Sequence, residues 1–519
     1  MPKRYLIGID LGSSSTKTSL FDSDGRACGD VTRDNHPHQP QSGVAEYSGP
    51  QMLAGAVQAI RQLVEQRGLA PGEVAAISID GMISGTMGID AAGEATTPYT
   101  TTLDVRFTPD LNHVMGNFHD PIRRLTGAGQ PCFAPKMQWI RREFSDSYAH
   151  TAKFVTAAGY VAGKLAGLAG QDAFLDYTYL WATGLSDTVN YAWSDELCRM
   201  MDLPIDKLPR IVRPTDIIGG VSAEIASMTG LLQGTPIVAG CGDQSAGLLA
   251  AGVNVPGRMG ESAGTYPVLA FCTDAFRPDM EGKRTEIVPS AIPGLWNPIS
   301  LIIGGGLTHH WFQEQFTADN KSEATQPGDT TSIYATLDEQ AFQLGPGSEK
   351  IFFIPHMAGR ACPTNTDYRG MWIGFSWNHR REHFYRAILE SIAYDQYHAL
   401  QSLKAAFPES PVREVLVYSG GARSAFWNQI KADVMGVPYL ALDREDLGAL
   451  GAAILAGHAV GIYDDLATAS QRFVSVAQRF DPRPEVHAYY SQCAEFYGRL
   501  LSYGEPAYHE LAALPQWQG

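Results

Sequence analysis

Two aspartates stand where a carboxylate can do chemistry. Asp10 ends the apolar run Leu6-Ile7-Gly8-Ile9, and Gly12, Ser13, Ser14, Ser15, Thr16 and Lys17 follow it. Small residues let a backbone approach a phosphate closely, and successive N–H groups form an anion-binding concavity. The hydroxyls add donors and Lys17 adds charge. A carboxylate beside phosphates repels them unless Mg²⁺, held through water, sits between. The stretch fits a metal–phosphate site, and it equally fits a β-hairpin that merely turns tightly. Asp243 lies in "GCGDQSAG", with glycines on one side and a helix start on the other. There it can accept the proton of an attacking hydroxyl in phosphoryl transfer, or it can N-cap the following helix.

Three further stretches offer backbone to a ligand. "GESAGTYP" holds Gly264 and Thr265 in a small-residue turn. "YSGGARSA" holds Gly420, Gly421, Ser424 and Ala425 before a helix-like run, and Gly304-Gly305-Gly306 precedes "LTHHWF". Paired glycines let a ring or phosphate lie against the chain; they also serve tight strand–helix turns. The P-loop pattern is absent, and its nearest lookalike, "GYVAGKL" (159–165), reads as helix. The dinucleotide fingerprint is missing from the first strand–turn, which disfavours a nicotinamide or flavin oxidoreductase. His309-His310 has no Cys or His partner at ligand spacing, so a metal is not expected there.

The elements that must hold these residues alternate between strand and helix. Leu6–Ile9 and Thr18–Phe21 read as a hairpin. Met52, Leu53, Ala56, Val57, Ile60, Leu63 and Val64 recur at helical spacing after Ser48-Gly49-Pro50. "VAAISIDG" (74–81) reads as a buried strand, and residues 108–215 read as mostly helical. Strand–turn–helix units return at 235–247 and 412–436, with a hairpin at 257–271. The same grammar in both halves predicts an α/β protein of two related domains facing a shared cleft, 1–253 and 254–519. The end, "EPAYHELAALPQWQG", reads as a loosely attached tail. At 519 residues and a net charge of −16, the chain exceeds a single core and repels nucleic acid and anionic membranes. Its seven cysteines are scattered singly, which predicts free thiols in a reducing cytoplasm. No signal-like or membrane-length apolar run is seen.

Taken in order, these segments resemble the FGGY family of carbohydrate kinases, within the actin/Hsp70/sugar-kinase superfamily. The resemblance runs over about 4–460. It rests on the hairpin at 6–21, Gly-x-Gly-Asp-Gln at 240–244, the second hairpin at 260–269 and the glycine pair at 419–425. "FFIPHMAGRACPTNTDYRGMWIGFS" (352–376), "REHFYRAILESIAY" (381–394) and "GALGAAILAG" (448–457) also match, although Gly359 stands before Arg360 where a Glu is common. The resemblance implies two actin-like (ribonuclease H-like) domains flanking a deep cleft, with ATP and Mg²⁺ as cofactors. It implies Asp243 as general base and Asp10 as the carboxylate linked to Mg²⁺ through water. Gly12, Ser13, Ser14, Lys17, Gly264 and Thr265 would meet the phosphates. Gly306, Gly420, Gly421, Ser424 and Ala425 would line the adenosine pocket. A cytoplasmic enzyme, with the homodimer common in the family, is the expected setting.

The overall match leans to xylulokinase-like members, which implies a ketopentose such as D-xylulose. Ile83, Ser84, Asp104 and Gln244 are the expected sugar-facing residues. Two of this region's residues depart from the pattern: Ser84 stands where those members carry His, and Thr102 where they carry Trp. Ribulose, fuculose, gluconate, erythritol and glycerol types are therefore the alternatives. Asp80 either joins the sugar site or is a buried structural carboxylate. A non-catalytic actin- or Hsp70-like ATPase is the competing class, and it lacks Gly-x-Gly-Asp-Gln together with the Arg-Gly stretch.

Overall fold

A computed structural model describes residues 5–317, 330–444 and 447–515. The opening hairpin is β1 (Tyr5–Leu11) and β2 (Ser15–Asp22), and it continues into an unforeseen third strand, β3 (Ala27–Asp34). Strand β4 (Val74–Gly81) lies parallel to β1, and β5 (Ile217–Gly220) and β6 (Pro236–Gly242) complete a sheet ordered β5-β6-β4-β1-β2-β3. The second half repeats the plan. Strands β7 (Arg258–Ser262), β8 (Val268–Phe271), β9 (Glu286–Pro289), β10 (Trp296–Leu301), β11 (Glu414–Tyr418), β12 (Tyr439–Leu442) and β13 (Val476–Phe480) are ordered β9-β10-β8-β7-β11-β12-β13. Both sheets set an antiparallel meander beside three parallel strands. The fold is α/β, as the alternation predicts.

Helix α1 (Gly49–Arg67) begins where its signals say. Ser48 Oγ accepts from the Gln51 N–H, Pro50 occupies the first turn, and Gly68 ends the helix with φ +60°. The stretch 108–215 is less helical than its pattern. Helices at Thr108–Thr126, α2 (Phe133–Glu143) and Ala157–Ala166 alternate with three-residue strands at Lys153–Val155, Phe174–Asp176 and Arg210–Val212. Strands that short carry too little period-2 signal to read. The loosely attached tail is corrected as far as Ala513. Residues 505–513 belong to one long helix, Pro484–Ala513, whose Tyr508 ring centroid lies 4.7 Å from that of Tyr368, the two rings tilted by 34°. Pro506 lies inside this helix, and Tyr508 is buried. All seven cysteines are free thiols, six of them buried. Among the described residues, no helix is long and apolar enough to cross a membrane.

One helix joins the halves. Following α3 (Asp243–Ala250), α4 (Gly305–Phe316), α5 (Thr330–Phe342), α6 (Arg381–Ala406) and α7 (Ala425–Met435), α8 (Gly448–Ala459) crosses to the first sheet and packs on β1, β4 and α3. Every residue from Ala449 to Gly457 is buried, as expected of a helix apolar on all sides. The approach needs glycine twice. A Cβ on Gly8 would overlap the Ala449 carbonyl, and one on Gly451 would overlap the Ala246 carbonyl. Gly451→Ala is therefore expected to lower the thermal midpoint, at a cost of about 3 kcal/mol or more through overpacking. Gly163→Ala, where a Cβ meets nothing within 4 Å, is expected to stabilise by up to about 1 kcal/mol. Parallel thermal melts of the two variants check the contrast.

Candidate active site

Three parallel strands deliver carboxylates to one edge. Asp10 on β1 pairs in register with Asp80 on β4, and Asp80 with Cys241 on β6. Asp243 follows two residues after Cys241, where β6 ends and α3 begins. Burial, then the charges of Asp176, Asp80 and Asp243, raise the Cys241 thiol far above its ordinary range. The site thus lies at the carboxyl ends of the parallel strands. Asp80 is fully buried. The first residue of α8, Gly448, faces this row: a Cβ there would stand 2.8 Å from Asp10 Oδ2 and 3.1 Å from Asp80 Oδ1. The positive end of the α8 dipole offsets the crowding of two carboxylates.

Asp243 is not the N-cap. Gly242 holds that position without a side-chain bond, and Asp243 is the first residue of α3. Its Oδ1 accepts the Gln244 backbone N–H at 2.7 Å, and burial pushes the carboxyl up to about 6. A buried relay fixes the strand end before it. Asp176 accepts from the Thr178 N–H and hydroxyl, and Thr178 Oγ1 accepts the Gly242 N–H at 2.9 Å.

The first hairpin turn is held from behind. Asn35 donates from Nδ2 to the Gly12 carbonyl and from its backbone N–H to that of Ser14, and Tyr47 OH donates to that of Ser13. Trans peptides then aim the Ser13 and Ser14 N–H groups away from Asn35 and Tyr47, on the exposed side of the turn. Lys17 pairs in register with Asp10. Asn35 and Tyr47 carry no signal in the sequence.

Across from these groups, Gly264, Thr265, Gly306, Gly420, Gly421 and Ser424 line one cleft of about 500 Å³. Ala425 opens α7 and lines the adjoining cavity. Sequence reasoning missed His309, Tyr334, Asp338 and Trp427 in the same wall. Ser424 Oγ donates to Asp338 Oδ2 at 2.6 Å, Tyr385 OH donates to Asp338 Oδ1 at 2.8 Å, and His309 Nε2 meets Tyr385 OH at 2.5 Å. Burial pulls His309 down to about 4, so it is neutral near pH 7. Below the cleft, Lys431 Nζ meets Glu261 Oε1 at 2.5 Å, both wholly buried, and sits 3.8 Å over the Trp427 ring. Lys431→Met leaves Glu261 buried and uncompensated, which is expected to cost about 3–5 kcal/mol. The double variant with Glu261→Leu is expected to regain most of that loss. Calorimetric midpoints of the two proteins test this.

The expected sugar-facing residues gather near Asp243. Ile83 is buried over Gly242, where a Cβ would stand 2.9 Å from Ile83 Cγ1, and Ser84 is half-buried. Gln244 is half-buried on the first turn of α3. Asp104 sits deeper than the motif suggests: it is fully buried, accepts the Ala45 N–H at 3.2 Å, and is chelated by Arg106 through Nε and Nη2. Its carboxyl is held below the usual range against burial by bonds from Arg106 and Ala45.

The donor set fits the groups a kinase needs. Among the described residues no cluster of three or more His, Cys, Asp or Glu could cage a metal. Mg²⁺ keeps several waters and takes one or two carboxylates beside phosphate oxygens, which suits Asp10 with Asp80 behind it. Gly264 and Gly420 leave the backbone approachable: a Cβ on Gly420 meets nothing within 4 Å.

Comparison with known proteins agrees with this geometry. Residues 5–250 match the model of the N-terminal domain of the FGGY family of carbohydrate kinases, and residues 263–460 match that of its C-terminal domain. The chain is 24% identical over 503 residues to a xylulose kinase of Bacillus subtilis, covering 96% of this chain and 97% of the relative. It is 28% identical over 502 residues to an autoinducer-2 kinase of Escherichia coli K12, covering 94% and 92%. The crystal structure of a xylulose kinase from Lactobacillus acidophilus superposes with a TM-score of 0.88 at 22% identity, covering 98% of this chain and all of that one.

Proposed function

The chain belongs to the FGGY family of carbohydrate kinases, phosphotransferases with an alcohol group as acceptor, and from that premise we propose that it phosphorylates a ketopentose such as D-xylulose at the expense of ATP. The observation that carries the assignment is Asp243: a carboxylate raised to about 6 by burial, at the carboxyl end of β6, on the same edge as Asp10. In this reading Asp243 takes the proton of the attacking hydroxyl. The hydroxyl oxygen bonds to the γ-phosphorus, the bond to the β-phosphate oxygen breaks, and ADP leaves. The N–H groups of Ser13, Ser14, Gly264 and Thr265, with Lys17, meet the charge that spreads over the phosphoryl oxygens. Bound Mg²⁺, held through water by Asp10, would screen the phosphates from the carboxylate row. Gly306, Gly420, Gly421, Ser424 and Ala425 line the adenosine pocket, and we divide the domains at 253/254, between β6 with its helix and β7.

A second acceptor class is favoured by Ser84 and Thr102. Where a site loses a hydrogen-bonding side chain, discrimination shifts strongly. The acceptors named for the relatives, xylulose and autoinducer-2, belong beside ribulose, fuculose, gluconate, erythritol and glycerol in one panel. A coupled ADP-release assay over that panel decides. Strong stimulation by D-xylulose supports the first reading, and by another acceptor the second. Sugar-independent hydrolysis alone returns the chain to the non-catalytic ATPase class.

A further inference from the structure

Backbone carbonyls fasten the turn that carries Ile83-Ser84 and tie it to the segment 99–104. Tyr179 OH donates to the Gly81 carbonyl at 2.9 Å, and Tyr99 OH to that of Met82 at 3.1 Å. Lys136 Nζ, from α2, donates to the Ser84 carbonyl at 2.6 Å and to the Thr100 carbonyl at 2.8 Å. The lysine is wholly buried, with its head 4.8 Å from the Phe107 ring centroid. A single ammonium bridging two carbonyls from different segments is an unusual use of a core position, because burial of an ammonium is costly. The cost is met by two charge-assisted bonds and by attraction to Asp104. Burial pulls Lys136 down to about 8, so the head still carries its charge at pH 7.

We propose that Lys136 is a positioning residue for the acceptor: it clamps the 82–85 turn to the 99–104 segment and so fixes where Ser84 stands. The inference rests on the reading that these segments face the acceptor hydroxyls. Ser84 makes the clamp matter. A serine hydroxyl lies one bond from Cβ and cannot reach as a histidine ring can, so its distance to an acceptor is set by the backbone and a single χ1 torsion. A displacement of about 1 Å is enough to cost roughly 10²-fold in a positioned reaction.

The test is steady-state kinetics of Lys136→Met and Lys136→Arg, with amide hydrogen exchange of the same proteins. The expected result for Lys136→Met is a rise of about tenfold or more in acceptor KM, with ATP KM unchanged. Its preference among acceptor epimers flattens, and faster exchange is confined to 82–86 and 99–104. Lys136→Arg, which keeps charged donors, recovers part of the acceptor KM. Equal shifts in both KM values, or unchanged exchange in those two segments, overturn the clamp. Where Lys136→Met does not fold, Lys136→Gln, whose shorter amide reaches one carbonyl at most, is read by the same two measurements. A wild-type protein that no acceptor in the panel stimulates defeats the proposed acceptor, and the exchange data then decide the clamp separately.

Discussion

The Asp243→Asn variant is expected to bind nucleotide normally and to lose turnover by roughly 10²–10⁴-fold, the contribution of a positioned general base. Asparagine keeps the size of the side chain and, through its amide oxygen, the bond from the Gln244 N–H. It cannot take a proton. The wild-type rate also carries a pH signature. Burial raises the Asp243 carboxyl to about 6, and only the ionised form is a base. The rate is therefore constant well above pH 6 and falls about tenfold per unit well below it. Asp243→Asn has no such acid limb. Nucleotide affinity by calorimetry, together with pH–rate profiles of both proteins, checks the pair of statements. Normal turnover in the variant, or an unchanged acid limb, removes Asp243 as the base.

The Asp10→Asn variant is expected to lose roughly 10²–10³-fold in kcat, as when one preorganised electrostatic contact is deleted, and to need more Mg²⁺ for half-maximal rate. Asp10 stands in register between Lys17 on one side and Asp80 on the other. Gly448 at the start of α8 closes over its Oδ2, so the carboxylate has little freedom to turn elsewhere. Asparagine preserves that packing and removes only the charge, which isolates the metal role from the structural one. Rates measured across a Mg²⁺ titration report it. A variant whose Mg²⁺ dependence matches the wild type would show that Asp10 serves the fold alone.

How far the sequence reached depends on how local each signal is. Apolar runs that end in Gly or Asp wrote out β1, β2, β4, β6, β7, β8 and β11, because strand period and turn chemistry are set within about ten residues. The glycines at 264, 306, 420 and 421 were readable for the same reason. Short strands within 108–215 were not, since pairing with distant partners, not period, holds them. The tail was misread because the packing of Tyr508 against Tyr368 is not a local signal.

The residue types and spacings by themselves determined which groups are candidates for chemistry: two aspartates, two phosphate-sized turns and a glycine pair, in a fixed order. Tertiary structure alone decided how they are held. Lys136 drew no attention in the sequence, yet it is buried against Ser84 and Thr100, 52 and 36 residues away. Asp338 drew no attention in the sequence, yet it ties Ser424 to Tyr385 across 86 and 47 residues. Asp104 reads as a ligand, yet Arg106 and the Ala45 N–H occupy it. Asp243 reads as a cap or a base, yet Gly242 takes the cap position. Donor and acceptor chemistry belongs to a side chain wherever it sits. Burial, charge partners and direction belong to its neighbours, and in this fold the neighbours come from distant parts of the chain.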